Sequence, residues 1–503
     1  MPEWSIGPVS KTGVRISVPW VRIPLSPPAA KQGKIMGGFF GVASKGECKL
    51  DVFFGTDYHS HLGTRRAGMA FVGKDGSLTR LIHDISNSPF RSRFEEKLES
   101  FSGSMGMGVI SDFDAQPLII RSHLGEYAIV TVGIINNTKE LIEEVCQRHA
   151  VHFSETSLGE INMTELAAVL INEGESFVDG IQNLFKRIDG SCSLMLLTKD
   201  GLYAARDYYG RTPIILGEKD GARAFTMEST AFLNLGYSTV KELGPGEIVK
   251  ITPDGTEQIL APCGKRKVCA FFWVYYGFPA STYEGLNVEK FRYAAGQKLA
   301  ENDKVEIDLA AGVPDSGTGY AIGYSNARHV PFGRPFTKYT PTWARSFMPT
   351  TQSVREVIAR MKILVVKPLL DQKRVLFTED SIVRGTQLRD IVSRVFSAGA
   401  KEMHFRSACP PYLFTCKYLN FSRSGSNVLS LAARRAINHL EGFSETVPEE
   451  YLQYGSEKYE AMVDHIRKEF SMTTLRYQNL DDMLDAIGLP KDEVCTFCWT
   501  GKE

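Results

Sequence analysis

The sequence has no long uninterrupted apolar run, no excess of charge of either sign, few cysteines for its length and no low-complexity tract. Each absence excludes a class of protein. No stretch reaches the roughly 18 apolar residues that a membrane span requires. The weakly charged segment from Val14 to Ala30 is broken by Pro19, Pro24, Pro27, Pro28, Arg15 and Arg22, so it fits neither a span nor a signal peptide. Lys plus Arg and Asp plus Glu both number 58, which argues against a nucleic-acid binder, since those carry a basic excess. Nine cysteines in 503 residues are too sparse for a disulfide scaffold, and without an export signal the expected compartment is reducing and cytoplasmic. Cysteines that cluster are therefore read first as metal or redox ligands. The remaining composition, 43% hydrophobic and 23% charged, is that of an ordinary folded chain.

Along the chain, residues 1–35 hold six prolines and one acid and read as a disordered or mis-started extension, because Met36 opens the first strand-like run. Residues 36–260 alternate short apolar stretches with turn signals, as in Phe39–Ala43, Tyr127–Gly133 and Ser193–Thr198. Helical spacing intervenes at Glu165–Ile171, where Asn162 and Glu165 suit a capping box. Strands outnumber helices, so sheets sandwiched by helices are expected. Residues 261–503 change character. Helical segments (Val288–Leu299, Val354–Met361, Gln387–Ser397) alternate with strand runs (Ile307–Ala311, Arg374–Phe377), which predicts an α/β domain with a parallel sheet. A polar helical region from Ser426 to Ile487 leads to a terminal Cys495-Thr496-Phe497-Cys498.

The most informative stretch runs from Val375 to Gln387. A buried strand ends in two adjacent acids, Glu379 and Asp380. A short loop with Gly385 and Thr386 then opens a helix whose Leu388, Ile391, Val392 and Val395 share one face. Ligands of open parallel sheets sit at the carboxyl ends of strands, and backbone N–H groups of a loop opening a helix suit a phosphate. The acid pair would repel that phosphate. It suits the hydroxyls of a ribose, or Mg²⁺ held through them.

These residues resemble the binding motif of type I phosphoribosyltransferases for 5-phosphoribosyl 1-diphosphate (PRPP). Asp380-Ser381-Ile382-Val383-Arg384-Gly385-Thr386 is similar to one family in particular, the amidophosphoribosyltransferases of purine biosynthesis. Val313-Pro314-Asp315-Ser316-Gly317 resembles that family's diphosphate loop, and Arg345–Pro349 with Gln352 and Arg355 its mobile loop. Val274-Tyr275 with Pro279 and Ser281, Ala398-Gly399-Ala400 and Pro410-Pro411 are further matches; Phe278 departs from an expected Arg. The resemblance implies PRPP contacts from Asp315, Ser316, Gly317, Glu379, Asp380, Ser381, Val383, Arg384, Gly385, Thr386 and Gln387. It implies Mg²⁺ at Ser316, Glu379 and Asp380, and catalytic roles for Glu379, Asp380 and Arg345. It also implies a homo-oligomer.

Cys495 and Cys498 alone form a CxxC that zinc, redox pairs and iron–sulfur clusters all use. In one branch of the family a structural 4Fe–4S cluster is held by four cysteines, and each position is filled here, by Cys269 before a strand expected at Phe271–Tyr276, by Cys416 after Pro410-Pro411, and by Cys495 and Cys498. Cys48, Cys146, Cys192, Cys263 and Cys409 match nothing and read as core thiols.

Gly37–Val42 resembles the start of class II glutamine amidotransferases, whose fold is the N-terminal-nucleophile αββα sandwich. Ala67–Ala70, Arg206-Asp207 with Gly210 and Pro213, and Glu242–Val249 extend the likeness. That chemistry needs an N-terminal Cys whose thiolate attacks the glutamine amide. Gly37 stands at that position, Leu62 where an Arg should anchor the glutamine carboxylate, and Val132 where an Asn should serve the oxyanion hole. Three concerted losses read as a retired glutaminase, which internal Cys48 does not repair. The expected activity is therefore formation of 5-phosphoribosylamine from PRPP and ammonia, free or delivered by a separate ammonia-supplying protein. A catalytically silent PRPP or nucleotide-binding regulator and a phosphoribosyltransferase with another nucleophile are the rival readings.

Overall fold

The computed structural model describes residues 37–148, 153–154, 156–157, 160–301, 303–338, 363–419, 428–444 and 446–502. All of them belong to one compact unit, Gly33–Glu503.

Two antiparallel sheets build the first half. One has seven strands in the spatial order Ser238–Glu242, Ile215–Lys219, Ala222–Thr226, Gly37–Ser44, Met105–Ser111, Arg66–Val72 and Leu78–Asp84. The other has six, in the order Thr256–Leu260, Ile248–Ile251, Gly201–Ala205, Gly190–Thr198, Gly125–Ile135 and Leu118–Ser122. The strand Gly37–Ser44 shows how they pack. Successive side chains alternate between faces, so Phe39 and Ala43 enter the core between the sheets, while Phe40 and Val42 enter a second core under the outer helices. The helix Lys49–Asp57 lies on that outer side, and Gly55 lets it approach closely, because a Cβ there would sit 2.2 Å from the Phe40 ring. Helices Met163–Ile171 and Phe177–Arg187 share a core with the inner strands of the six-stranded sheet. This is an αββα sandwich. Asn162 caps the first of these helices by accepting from the Thr164 and Glu165 N–H groups. Glu165, expected to complete a capping box, accepts from the Ser154 N–H and hydroxyl at 2.9 and 3.0 Å.

The second half is an α/β domain. Its four parallel strands lie in the order Leu309–Gly312, Arg374–Glu379, Glu402–Ser407 and Thr474–Tyr477. Helix Thr386–Ser397 buries Leu388, Ile391, Val392 and Val395, the face its spacing predicts. Two expectations need correction. Phe271–Tyr276, expected as a strand, contains a π-helix at Phe272–Tyr276; Gly277 N–H reaches back five residues to the Phe272 carbonyl at 2.8 Å. Its aromatic rings join one core rather than alternating between two faces. The polar region before the terminal CxxC is not wholly helical: Thr474–Tyr477 is the edge strand of the sheet. The expected helix Val354–Met361 lies outside the described residues.

The halves share one apolar core running from Phe40 to Trp499. A buried acid reinforces the junction. Glu228 of the first half accepts from Tyr283 Oη at 2.7 Å and from the Ser281 hydroxyl, and it pairs with His61 at 3.1 Å.

Candidate active site and cysteine cluster

The strand Arg374–Glu379 carries the acid pair to the carboxyl edge of the parallel sheet. Beside it, Leu309–Gly312 ends in the loop 313–317, which leads into helix Thr318–Arg328. The two strand ends are laced together. Val313 N–H donates to the Thr378 carbonyl at 3.0 Å, and the Thr378 hydroxyl donates to the Gly317 carbonyl at 2.7 Å. No side chain fits at residue 317, since a Cβ there would lie 2.2 Å from the Thr378 oxygen. This lacing brings Ser316 Oγ to 2.5 Å from Glu379 Oε1, while Ser381 donates to Asp380. Asp315 is largely exposed and paired with Lys338.

Electrostatically the pair is unfinished. Burial, and then the neighbouring Asp380 charge, push the Glu379 carboxyl well above the usual carboxylate range. Burial also raises Asp380, against hydrogen bonds from its neighbours and the more distant Arg292 charge. The half-buried Glu379 and the buried Asp380, with a serine hydroxyl beside them, offer oxygen donors to a hard cation. Ser316, Glu379 and Asp380 therefore fit Mg²⁺.

The loop after the acids is held from outside. Gly385 has φ +76°, and its missing Cβ leaves room for the Phe470 ring, 2.0 Å from where that atom would be. Val383 carbonyl accepts from Ala432 N–H at 2.8 Å, Arg384 Nε donates to Ser430 Oγ at 3.0 Å, and the Arg384 carbonyl accepts from Arg435 at 3.1 Å. Residues 383–387 thus present a fixed turn into the helix starting at Thr386, with Gln387 in its first turn. Ser430 and Arg435 were not legible in the sequence, because they support the loop through contacts made over 46 and 51 positions. Arg345, Gln352 and Arg355 lie outside the described residues.

The four cysteines named from the sequence come together. Parallel pairing sets Cys269 opposite Cys495. Cys498 is hydrogen-bonded with Cys416, and the Cys269, Cys416 and Cys495 charges all act to raise its thiol. Leu413 and Phe414 N–H groups both donate to the Cys498 carbonyl, fastening the chain end to the segment carrying Cys416. Arg211, from the first half, is also here. It lies 3.7 Å from the Tyr418 ring centroid; burial raises the Cys269 and Cys495 thiols, and the Arg211 charge opposes that rise. Four thiols beside a buried guanidinium fit a cluster that carries negative charge. Among the described residues, no three His, Cys, Asp or Glu side chains are placed to share a single metal ion. A cubane instead takes one thiolate per iron.

At the amidotransferase end, Gly37 and Val132 do meet, in the wall of a cavity of about 40 Å³ between the ends of the two sheets. Leu62 is not in that wall. Gly37 and Gly38 face opposite sides of their strand, and it is Gly38 that Leu62 covers, from the outer side. Ser111, which pairs with Gly37 across the sheet, and the acids Asp112 and Asp114 line the cavity unforeseen. So does Cys192. It is buried, and burial with the Asp207 and Asp114 charges pushes its thiol up, so it makes a poor replacement nucleophile. Cys48 is likewise buried, its thiol raised by burial and by Glu47 and Asp51. A Cβ at residue 37 would lie 2.6 Å from the Ile110 carbonyl oxygen. Gly37→Cys should therefore cost about 1–3 kcal/mol by overpacking, seen as a lower melting temperature, and should release no glutamate from glutamine. Recovery of glutaminase activity in that variant would contradict this geometry.

An antiparallel αββα sandwich joined to a parallel α/β domain with an acid pair at its strand ends defines the class: a class II amidotransferase fold coupled to a phosphoribosyltransferase fold. A family model described as a glutamine amidotransferase domain matches residues 105–234. The amidophosphoribosyltransferase of Synechocystis sp. is 31% identical, over 78% of this chain and 81% of its own. That of Methanocaldococcus jannaschii is 29% identical, over 93% and 97%. The solved structure of glutamine phosphoribosylpyrophosphate amidotransferase from B. subtilis, complexed with ADP and GMP, has a TM-score of 0.79 at 26% identity, covering 92% of this chain and 96% of that one. The chain belongs to the amidophosphoribosyltransferase family, enzymes of the pentosyltransferase class.

Proposed function

We propose that this enzyme makes 5-phosphoribosylamine and diphosphate from PRPP at the entry to purine biosynthesis, taking ammonia rather than glutamine hydrolysed in cis. One observation carries the reading: the acid pair and its phosphate loop are present, while the cavity around Gly37 has no activated nucleophile, its Cys192 thiol being pushed up by burial, and about 40 Å³ of space. That space suits one or a few water-sized molecules and is too small for glutamine. Binding alone would not call for both acids, which favours turnover over a silent regulator.

Diphosphate leaves C1 through an oxocarbenium-like state, so the site must steady a cationic sugar and a departing polyanion. Glu379 and Asp380 face the ribose side, and the backbone N–H groups of Asp315 and Ser316 face the diphosphate, that of Gly317 being taken by the Val313 carbonyl at 2.9 Å. Those of residues 383–387 take the 5-phosphate at the start of helix Thr386–Ser397. Ser316, Glu379 and Asp380 would hold Mg²⁺, which when bound spreads charge building on the diphosphate. The ammonia lone pair forms the C1–N bond as the C1–O bond breaks, and the nitrogen then loses a proton to water. Cys269, Cys416, Cys495 and Cys498 would hold a 4Fe–4S cluster as a structural tie, since no electron is transferred in this reaction.

Glutamate release is the direct test of the nitrogen source. With PRPP and Mg²⁺ present, glutamine should remain intact while ammonium is consumed. Glutamate formed in step with PRPP turnover would overturn the proposal.

A further inference from the structure

The cavity at Gly37 retains chemistry that the lost glutaminase does not explain. Asp112 is 3% exposed and Ser191 0%. Both line the cavity, and Asp112 Oδ2 and Ser191 Oγ are buried with no hydrogen-bond partner. The other Asp112 oxygen is occupied, accepting from Thr64 N–H at 2.5 Å and Thr64 Oγ at 3.2 Å. Leaving a buried carboxylate oxygen unpaired is costly, because its lost hydration is not replaced, so such an atom points to a small guest. Burial is the main influence on the Asp112 carboxyl and pushes it up to about 6, with Thr64 and Arg65 pulling the other way; at neutral pH it is an anion. Asp114 lines the same cavity, and Asp207 is close enough to act on Cys192 in its wall. The cavity wall carries two carboxylates, Asp112 and Asp114, and no basic side chain among the described residues, which favours a cation. Leu419, from the second half, closes one side.

We infer that this cavity is a binding niche for a single ammonium ion, held by Asp112 Oδ2 and Ser191 Oγ. The niche deepens the ammonia-dependent reading proposed above and rests on it. Ammonium has four donors and no acceptor, so it satisfies a bare carboxylate and a hydroxyl oxygen together. Its size matches a space of about 40 Å³, which is room for one to a few waters. The niche would store the nitrogen donor in the half of the molecule that its relatives' family model describes as a glutamine amidotransferase domain.

The test uses the full chain and two readouts. In thermal unfolding without PRPP, ammonium chloride should raise the melting temperature more than sodium or potassium chloride at equal ionic strength. That difference should vanish in Asp112→Asn and shrink in the milder Ser191→Ala. In steady state the same variants should raise the KM for ammonium, Asp112→Asn by ~10-fold or more on the scale of one charge-assisted hydrogen bond, with the KM for PRPP unchanged. An equal shift from all three salts, or an unchanged ammonium KM in both folded variants, would overturn the niche. If ammonium supports turnover but neither readout responds to the variants, the niche falls and the ammonia reading stands. If the ammonium-specific shift appears and is lost in the variants while ammonium supports no turnover, the niche stands and the donor assignment falls.

Discussion

Asp380→Asn should lower kcat/KM for PRPP by ~10²–10³-fold, the scale of losing one preorganised electrostatic group, without lowering the melting temperature. The substitution keeps the size of a side chain that is 6% exposed and removes only its charge. Both acids are raised on folding, chiefly by burial. The folded chain therefore binds protons more tightly than the unfolded one at these groups. The resulting cost is absent below the ordinary carboxylate range near ~4 and present in full above the folded-state values. The variant should thus lose part of the wild-type decline in stability as pH rises above ~4. Steady-state kinetics beside a melting series over pH checks both halves. Unchanged turnover in a folded Asp380→Asn protein would show that the acid pair is not where the sugar reacts.

The second large effect concerns the cysteines. Protein prepared without oxygen should be brown and carry about four irons per chain, as four thiolates around a cubane require. Cys498→Ser should bleach the colour and cost several kcal/mol of stability. The comparison is a cross-link closing a very long loop, ~2–5 kcal/mol, since a cluster on Cys269 and Cys498 would tie mid-chain to chain end. Cys146 and Cys263, expected as core thiols, are exposed instead, and Cys146→Ser on helix Thr138–Arg148 should change neither property. Iron analysis, the visible spectrum and thermal melts decide it. One zinc per chain, or no metal in anaerobic protein, would refute the cluster.

What could be read from the sequence was what is local. The strand, acid pair, Gly385 turn and helix face lie within about two dozen consecutive residues, so periodicity and turn chemistry place them without tertiary information. What escaped depends on distant contacts. Arg211 reaches the cysteines from the other half, Arg435 grips the Arg384 carbonyl across the fold, and Asp112 and Ser191 share a cavity although they stand far apart in the chain. The aromatic run Phe271–Tyr276 has the composition of a strand, yet tertiary packing of Phe272, Trp273 and Tyr276 into one core selects a π-helix. The motif resemblance puts Leu62 in the glutamine pocket. The alternation of Gly37 and Gly38 puts it on the opposite face.

The central claim is that a working PRPP site is coupled to a retired glutaminase. Diphosphate release from PRPP and Mg²⁺, measured with ammonium, with glutamine and with no amine, tests it most directly. The account predicts release with ammonium and only background with glutamine or without amine. Glutamine supporting release as well as ammonium, or no release with any donor, would contradict it.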